Sequence, residues 1–171
     1  MFTLFISTSQ GQTKQAFGAG YFGELVTYKG FVFEYEVERM QSKNIALVSR
    51  SNLGFYKHPR SHSAWFIDQH LGLRRYAGAF YFESAVGLGV MASRLNEPVY
   101  EVNDKGEIEE SGKWLNPDFM PSVTIGMGYQ FGAEQSSALW VRPKIFWQYP
   151  YNAIALPHLA LQIGFTHQIS K

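Results

Sequence analysis

The sequence contains no cysteine, which excludes a disulfide framework, a thiolate metal site and a cysteine nucleophile. Charged residues make up only 17% of the 171 residues, whereas soluble domains carry about 25%. The longest uncharged apolar run, residues 85–92, is too short for a transmembrane helix. A formal net charge of +1 gives no reason to expect nucleic acid as a partner. The arrangement of the remaining residues must therefore indicate the fold.

Aromatic residues, at 16%, and glycine, with 16 residues, are frequent, and the side chains alternate with a period of two. Residues 30–40 (GFVFEYEVERM) are the clearest example. Successive side chains of a strand point to opposite faces. One face of this strand would carry Phe31, Phe33, Tyr35 and Val37, and the other would carry Val32, Glu34, Glu36 and Glu38.

The same alternation predicts eight strands of about 10–14 residues, the length that a tilted strand needs to cross a bilayer. The predicted strands are residues 16–29, 30–40, 44–56, 63–74, 79–93, 122–131, 138–149 and 158–169. We expect short turns at 29–30, 41–43, near Tyr76 and at 133–136, and one long connection at 95–118. Pro143 cannot donate a ladder hydrogen bond, so we expect a β-bulge there.

The polar faces mix small residues with charges of both signs, which is how the interior of a small barrel is filled. Since eight strands leave an interior just wide enough for side chains, we expect a salt-bridged plug; an ion pathway or a catalytic site is the alternative. The predicted lumen charge network is Glu34, Glu36, Glu38, Arg50, Asp68, His70, Arg74, Glu83, Arg142 and Lys144.

Folding the predicted hairpins about their turns gives a register for three strand pairs. The expected opposite pairs are Glu34 with Arg50, His70 with Glu83, Gly128 with Trp140 and Gly126 with Arg142. The apolar faces form a band nearly free of charge, with aromatic girdles toward both ends. Gln69 is an exception on this band, with no evident reason in the sequence.

Residues 16–171, with alternating strands, short turns at one end and a long loop at the other, resemble the small eight-stranded outer-membrane barrels of the OmpA and OmpX type. The resemblance implies an all-β fold, an eight-stranded antiparallel up-and-down transmembrane β-barrel, in the outer membrane of a Gram-negative bacterium. It implies contact with outer-membrane lipid and lipopolysaccharide, no cofactor, and a monomer or a subunit of a larger membrane complex. A soluble lipocalin-like barrel, with every strand inverted, is the alternative fold.

Residues 1–15 differ from the predicted barrel domain. A short apolar run at 2–6 precedes small and polar residues, a pattern typical of the end of a secretory signal peptide. A disordered or strand-like amino terminus is the alternative interpretation.

The long connection is the best functional candidate. Its Asn-Asp-Lys-Gly turn, residues 103–106, predicts a hairpin that could bind a partner, although a solvated loop without a fixed role is equally compatible. The predicted acidic partner-binding residues are Glu97, Glu101, Asp104, Glu107, Glu109 and Glu110.

We therefore expect a non-enzymatic barrel with a structural or surface-interaction role. The alternative is a lipid A-modifying acyl hydrolase on the same barrel. Residues 61–64 (SHSA) match the His-x-Ser-Asn arrangement of such deacylases only in part, and His167 faces outward without a serine at a suitable spacing. The five histidines show no metal-ligand spacing.

Overall fold

The structure is a computed structural model that describes residues 13–59, 62–96, 99–102, 106–111, 117–151 and 154–170. The predicted signal segment therefore lies outside the described residues, except for residues 13–15 in the first strand. No helix within the described ranges is long and apolar enough to cross a membrane. The strands are β1 (Thr13–Glu24), β2 (Tyr28–Ser42), β3 (Ile45–Lys57), β4 (His62–Ala77), β5 (Phe80–Leu95), β6 (Val99–Val102), β7 (Ile108–Ser111), β8 (Asp118–Phe119), β9 (Ser122–Phe131), β10 (Ser137–Tyr151) and β11 (Ile154–Ser170).

The strands close into a barrel because the last strand pairs with the first. β1 pairs antiparallel with both β11 and β2, and pairing then continues strand by strand to β5. β8 and β9 together occupy one position, between β5 and β10, and β10 pairs with β11. This ring of eight strand positions confirms the predicted eight-stranded antiparallel up-and-down barrel.

The two ends of the barrel differ in their connections. At the terminal end, where β1 begins and β11 ends, short turns join β2 to β3, β4 to β5 and β9 to β10. At the loop end, the longest connection joins β5 to β8 and contains a hairpin of β6 and β7, in which Val102 pairs with Ile108. Gly106, which precedes β7, has a φ of +80°, a left-handed conformation that glycine adopts readily. The paired backbone confirms that this connection contains a hairpin.

Side chains are distributed in the opposite sense to those of a soluble protein. Arg50, Arg142 and Lys144 are among the largest fully buried side chains, whereas Val86 and Ile125 on the outer wall are 63% and 60% exposed. A charged interior and an apolar outer band are the arrangement of a barrel in a bilayer. The inverted, lipocalin-like alternative is therefore wrong.

Aromatic girdles border this band at both ends. Phe31, Phe55 and Trp65 contact one another near the loop end, with ring centroids 4.8–5.8 Å apart. Near the terminal end, the centroid of Tyr129 lies 5.0 Å from that of Phe80. Aromatic residues at these two levels are typical of the two lipid–water boundaries.

The predicted turn at residues 29–30 is wrong. The chain turns at Leu25 and Val26, which have positive φ values of 45° and 67°. Gly30 lies inside β2, where a Cβ would be 2.1 Å from the carbonyl oxygen of Phe55. The close approach of β2 and β3 therefore explains why residue 30 is a glycine. Val26 is β-branched, a residue type that rarely adopts a left-handed conformation, so the sequence gives no signal for a turn there.

Two of the predicted registers are also wrong. Arg50 pairs with Glu36 instead of Glu34, a shift of two residues. Glu83 pairs with Arg74 instead of His70, because β4 continues beyond Tyr76 to a turn at Gly78. A shift by an even number of residues keeps every side chain on its face, so hydrophobic alternation cannot detect it.

The third register is confirmed, but the bulge is not. Gly128 pairs with Trp140, and a Cβ at Gly126 would lie 2.7 Å from Cγ of Arg142, so this side chain fills the space as predicted. Pro143 pairs with Leu161 without a change of register. On its other edge β10 has no paired residues at Arg142 and Pro143, yet pairing with β9 resumes at Lys144 in the same register. The proline therefore interrupts the ladder without inserting a residue, and the predicted bulge is wrong.

An arginine in the apolar band tests the membrane orientation. We expect Val86→Arg to destabilise the folded barrel by about 2–4 kcal/mol, because the residue faces lipid near the middle of β5. Ile169→Arg, at the terminal end of β11, is the control and should change stability by about 1 kcal/mol or less. Urea unfolding in lipid vesicles measures both. Equal, small effects at the two positions would contradict a lipid-facing wall.

Candidate functional site

The charged side chains of the interior gather in the half of the barrel near the terminal end. β2 presents Glu34, Glu36 and Glu38 inward in a row, because every second side chain of a strand points to the same face. Arginines from three other strands and one further glutamate from β5 meet this row. All seven members are at most 7% exposed: Glu34, Glu36, Glu38, Glu83, Arg50, Arg74 and Arg142.

Glu83 is the centre of this cluster, which we call the arginine–glutamate network. Its Oε1 accepts hydrogen bonds from Arg50 Nη2 at 2.5 Å and Arg142 Nε at 2.6 Å. Its Oε2 accepts from Arg74 Nη2 at 2.6 Å and Nε at 3.0 Å. One carboxylate of β5 thus connects guanidinium groups from β3 and β4 on one side of β5 with one from β10 on the other side.

Arg74 also binds the row of glutamates on β2. Its two terminal nitrogens each lie 2.7 Å from one oxygen of Glu36, a bidentate arrangement. Nη1 further contacts Glu38 Oε2 at 2.8 Å, and the Tyr76 hydroxyl donates to the same oxygen. Bidentate charge-assisted pairs are the strongest side-chain hydrogen bonds, so this contact joins β2 firmly to β4.

Arg142 extends the network toward β11. Its Nη1 lies 2.5 Å from Glu34 Oε2, and its guanidinium lies 3.9 Å from the centre of the Trp140 ring. Trp140 Nε1 donates to Thr166 Oγ1 at 2.7 Å, and this hydroxyl donates to Glu34 Oε1 at 2.7 Å. Glu34 is therefore bound to Arg142 through one oxygen and, by way of Thr166, to Trp140 through the other.

A second, smaller cluster contains the other three predicted lumen residues. Lys144 Nζ donates to Asp68 Oδ2, His70 Nε2 lies 3.2 Å from Asp68 Oδ1, and Asn52 donates to the same oxygen at 2.7 Å. Above it, toward the loop end, Phe22, Tyr56, Phe66 and Phe146 fill the interior. Lys144 Nζ lies 4.9 Å from the Phe66 ring, between the charged and the aromatic layers.

The serine of this cluster resembles a catalytic arrangement only in composition. Ser122 Oγ lies 3.4 Å from Nε2 of His70, the same nitrogen that contacts Asp68. In a catalytic triad the acid and the nucleophile bind opposite nitrogens of the ring. All three side chains are buried, so the group connects strands and offers no nucleophile to a substrate.

Several members of the interior were missed by sequence reasoning. Thr166, Asn52 and Tyr76 complete hydrogen bonds that the charged residues alone would leave open. Alternation places Thr166 and Asn52 on inward faces, which is the only sequence signal for them, whereas Tyr76 lies at a predicted turn. Their partners depend on register and on which strands lie across the lumen, and neither can be read from one strand.

Histidines collect at the loop end of the lumen. His158 Nδ1 contacts Glu24 Oε1 at 2.6 Å and its ring stacks on Phe146, while His62 stacks on His58. Burial lowers the pKa of His62, which lies beyond the aromatic girdle, and Glu24 opposes the shift. His62 is therefore neutral at pH 7. Within the described part of the chain, no three acidic or histidine side chains could hold a metal ion.

A serine does lie beside His167, contrary to the sequence expectation. The antiparallel pairing of β10 with β11 places Ser137 opposite His167, and Ser137 Oγ lies 2.9 Å from Nδ1 on the outer wall. Thirty positions separate the two along the chain, so no local spacing could indicate them. The described residues show no carboxylate bound to the ring, the group that orients the base in serine hydrolases.

The predicted acidic surface lies mostly outside the described residues. Glu97 and Asp104 fall outside them, as do the side chains of Glu101, Glu109 and Glu110, which stand on β6 and β7. Glu107 is described and exposed. An acidic partner-binding surface on the hairpin therefore stays a prediction.

Comparison with known proteins relies on structure alone, since no family model and no curated protein matches the sequence. The structure of Ail, the attachment invasion locus protein of Yersinia pestis, has a TM-score of 0.56 and 8% identity over 94% of this chain and 100% of Ail. Neisserial surface protein A has a TM-score of 0.55 and 10% identity over 93% and 96%. The fold is that of a small outer-membrane β-barrel. The resemblance predicted from the strand pattern is thus confirmed at the level of fold.

Substitution of Glu83 tests whether the arginine–glutamate network stabilises the barrel. We expect Glu83→Gln to destabilise the barrel by about 3–5 kcal/mol, because three buried guanidinium groups would lose their shared carboxylate. Glu107→Gln, the same substitution at an exposed glutamate, is the control and should alter stability by about 0.5 kcal/mol or less. Urea unfolding followed by gel mobility measures both. Equal stability of Glu83→Gln and the wild type would show that water, not pairing, neutralises these charges.

Proposed function

We propose that this chain is a non-enzymatic outer-membrane barrel with a closed interior, and that it acts by binding at the cell surface through its loop end. The observation that carries the proposal is the arginine–glutamate network. This network fills the interior with contacts between the barrel's own side chains, so we place the function on the outer surfaces. The loop end has the longest connection and the hairpin of β6 and β7. Loops on a rigid barrel are the usual carriers of such function.

The packing of the lumen supports a closed interior. Trp140, Tyr81 and Arg142 lie across the lumen where glycines leave room: a Cβ at Gly164 would lie 2.3 Å from Trp140, and one at Gly128 would lie 2.2 Å from Tyr81. A small barrel filled in this way holds no continuous aqueous path. We therefore favour the expected salt-bridged plug over the alternative of an ion pathway.

An acyl hydrolase on this barrel is the second candidate, and Ser137 beside His167 is the observation that favours it. The pair lies at the terminal end of the outer wall, where β10 begins and β11 ends. Among the residues that the structure describes, no carboxylate orients its histidine, and the Ser122–His70 pair is buried. A hydrolase needs an activated nucleophile that a substrate can reach. We therefore favour the non-enzymatic function.

Lipopolysaccharide is the membrane partner that the outer wall fits best. Lys57, Ser63 and Arg94 are direct cross-strand neighbours on β3, β4 and β5, and they face outward. They lie two or more residues beyond Phe55 and Trp65, and so at the level of the lipid head groups. They line a surface depression of about 390 Å³. Two cations and a hydroxyl at this level match a phosphate of an anionic lipid.

The loop hairpin is the proposed site for a soluble partner. Ail, which has the same fold, is described as an attachment and invasion protein and has been seen with the heparin analogue sucrose octasulfate. The acidic sequence of residues 97–110 favours a ligand of the opposite sign, a basic protein surface. We propose attachment as the shared type of role, with a different ligand.

Two variants separate the proposed partners. Deletion of residues 98–113 should leave a folded barrel and abolish binding of basic proteins to cells that display it, because the hairpin forms a sheet of its own. The double variant Lys57→Gln and Arg94→Gln should weaken binding of purified barrel to lipopolysaccharide while leaving protein binding intact. Surface binding and lipopolysaccharide titration of the same preparations measure both effects.

Lys43→Gln and Arg75→Gln provide the matched control, since both residues are exposed toward the terminal end. The proposal fails if the hairpin deletion retains full protein binding, or if the control weakens lipopolysaccharide binding as much as the double variant does. Loss of folding on deletion would show that the hairpin belongs to the barrel core and would also contradict the proposal.

A further inference from the structure

A small polar cluster lies on the lipid-facing wall, apart from the lumen and from both barrel ends. Gln69, midway along β4, is exposed on the outer wall between Ser49 and Ser51 of β3. Its Nε2 donates to Ser49 Oγ at 2.9 Å, and its Oε1 accepts from Ser51 Oγ. We call these three residues the Gln69 cluster.

The surroundings of the Gln69 cluster are apolar. Ile67 and Leu71, its outward neighbours on β4, are 60% and 53% exposed, and Leu88, which pairs with Gln69 on β5, is 62% exposed. Trp65 marks the girdle on one side of Gln69 along β4, and Arg75 lies toward the terminal end on the other. The cluster therefore lies near the middle of the bilayer, where acyl chains offer neither donors nor acceptors.

The hydrogen bonds within the cluster leave capacity unused. Among the described residues, the Ser49 hydroxyl accepts from Gln69 but donates to no acceptor. The carbonyl oxygen of Gln69 accepts one hydrogen bond and has a second lone pair. Polar side chains in the hydrocarbon region are rare and generally face a partner. A partner here must supply both an acceptor and a donor at mid-membrane depth.

We propose that the partner is a second copy of this chain, related by a two-fold axis along the membrane normal. In such a dimer both barrels have the same orientation, so the two clusters lie at the same depth. The Ser49 hydroxyl of each copy would donate to the Gln69 carbonyl oxygen of the other, the reciprocal pattern of a two-fold interface. The cluster is neutral, so the two copies meet without electrostatic repulsion.

The shape of the wall fits this arrangement. Small Ser49 leaves an open depression of about 490 Å³, which Leu71, Val86 and Leu88 also line. An apolar side chain from the second copy can enter it while the polar groups pair beside it. Close approach at small residues, with polar groups bonded across the contact, is how transmembrane elements associate in the absence of a hydrophobic driving force.

Photo-crosslinking in native membranes tests the dimer. A benzoylphenylalanine residue replaces Leu71, next to the cluster, in one variant. In the control it replaces Ile163, which faces outward near the middle of β11, on the far side of the barrel. We expect a product of twice the chain mass from the Leu71 position and little or none from Ile163. Adding Gln69→Leu should weaken dimerisation by about threefold for each hydrogen bond lost.

Gln69→Leu retains the size of the side chain and replaces a polar group in lipid with an apolar one, so the barrel should remain folded and equally heat-resistant. This separates loss of the interface from loss of the fold. The inference is overturned if crosslinked dimer is absent, or forms equally from both positions. It is also overturned if the Leu71 position labels a different membrane protein, or if Gln69→Leu leaves the dimer unchanged.

Discussion

The structure depends on one constraint: an eight-stranded barrel has an interior only as wide as its side chains, and the charges placed there must neutralise one another. The charged side chains of the arginine–glutamate network are buried, so an unpaired carboxylate or guanidinium there would carry its full desolvation penalty. Glu83 meets the constraint by binding three arginines from three strands. The row of glutamates on β2 supplies the remaining acceptors.

The same network explains the register of the strands. A shift of two residues between β2 and β3 would keep every apolar residue in lipid, so burial alone gives no preference between the two registers. The charges do favour one of the two registers. The bidentate contact of Arg74 with Glu36 and the contacts of Glu83 form only when these side chains lie at matching heights in the lumen. We infer that the network selects one register among several that the apolar wall allows.

This division explains how much could be predicted from the sequence. Alternation within a strand is local, so the strand positions, the inward set of charges and the barrel itself follow from it. Register depends on groups far apart along the chain, so the sequence predicts the wrong partners for Arg50 and Glu83 although alternation places both in the lumen. The contact of Ser137 with His167 could not be predicted for the same reason. The left-handed turn at Val26 has no local signal at all.

Ion pairs between the barrel's own side chains occupy the interior, so the outer surfaces are the remaining candidates for function. The loop end offers a hairpin and a basic depression at head-group level, and the wall offers the Gln69 cluster. We propose a different partner for each of these surfaces: a soluble protein for the hairpin, an anionic lipid for the depression and a second barrel for the Gln69 cluster. We therefore propose that binding takes place on the outside of the barrel.

Single-channel recording in planar bilayers tests the closed interior most directly. We expect purified barrel to insert without adding a steady conductance, because the arginine–glutamate network and the aromatic layer would leave no continuous water path. A large, stable open channel in most insertion events would contradict it, since the charges would then line water instead of binding one another.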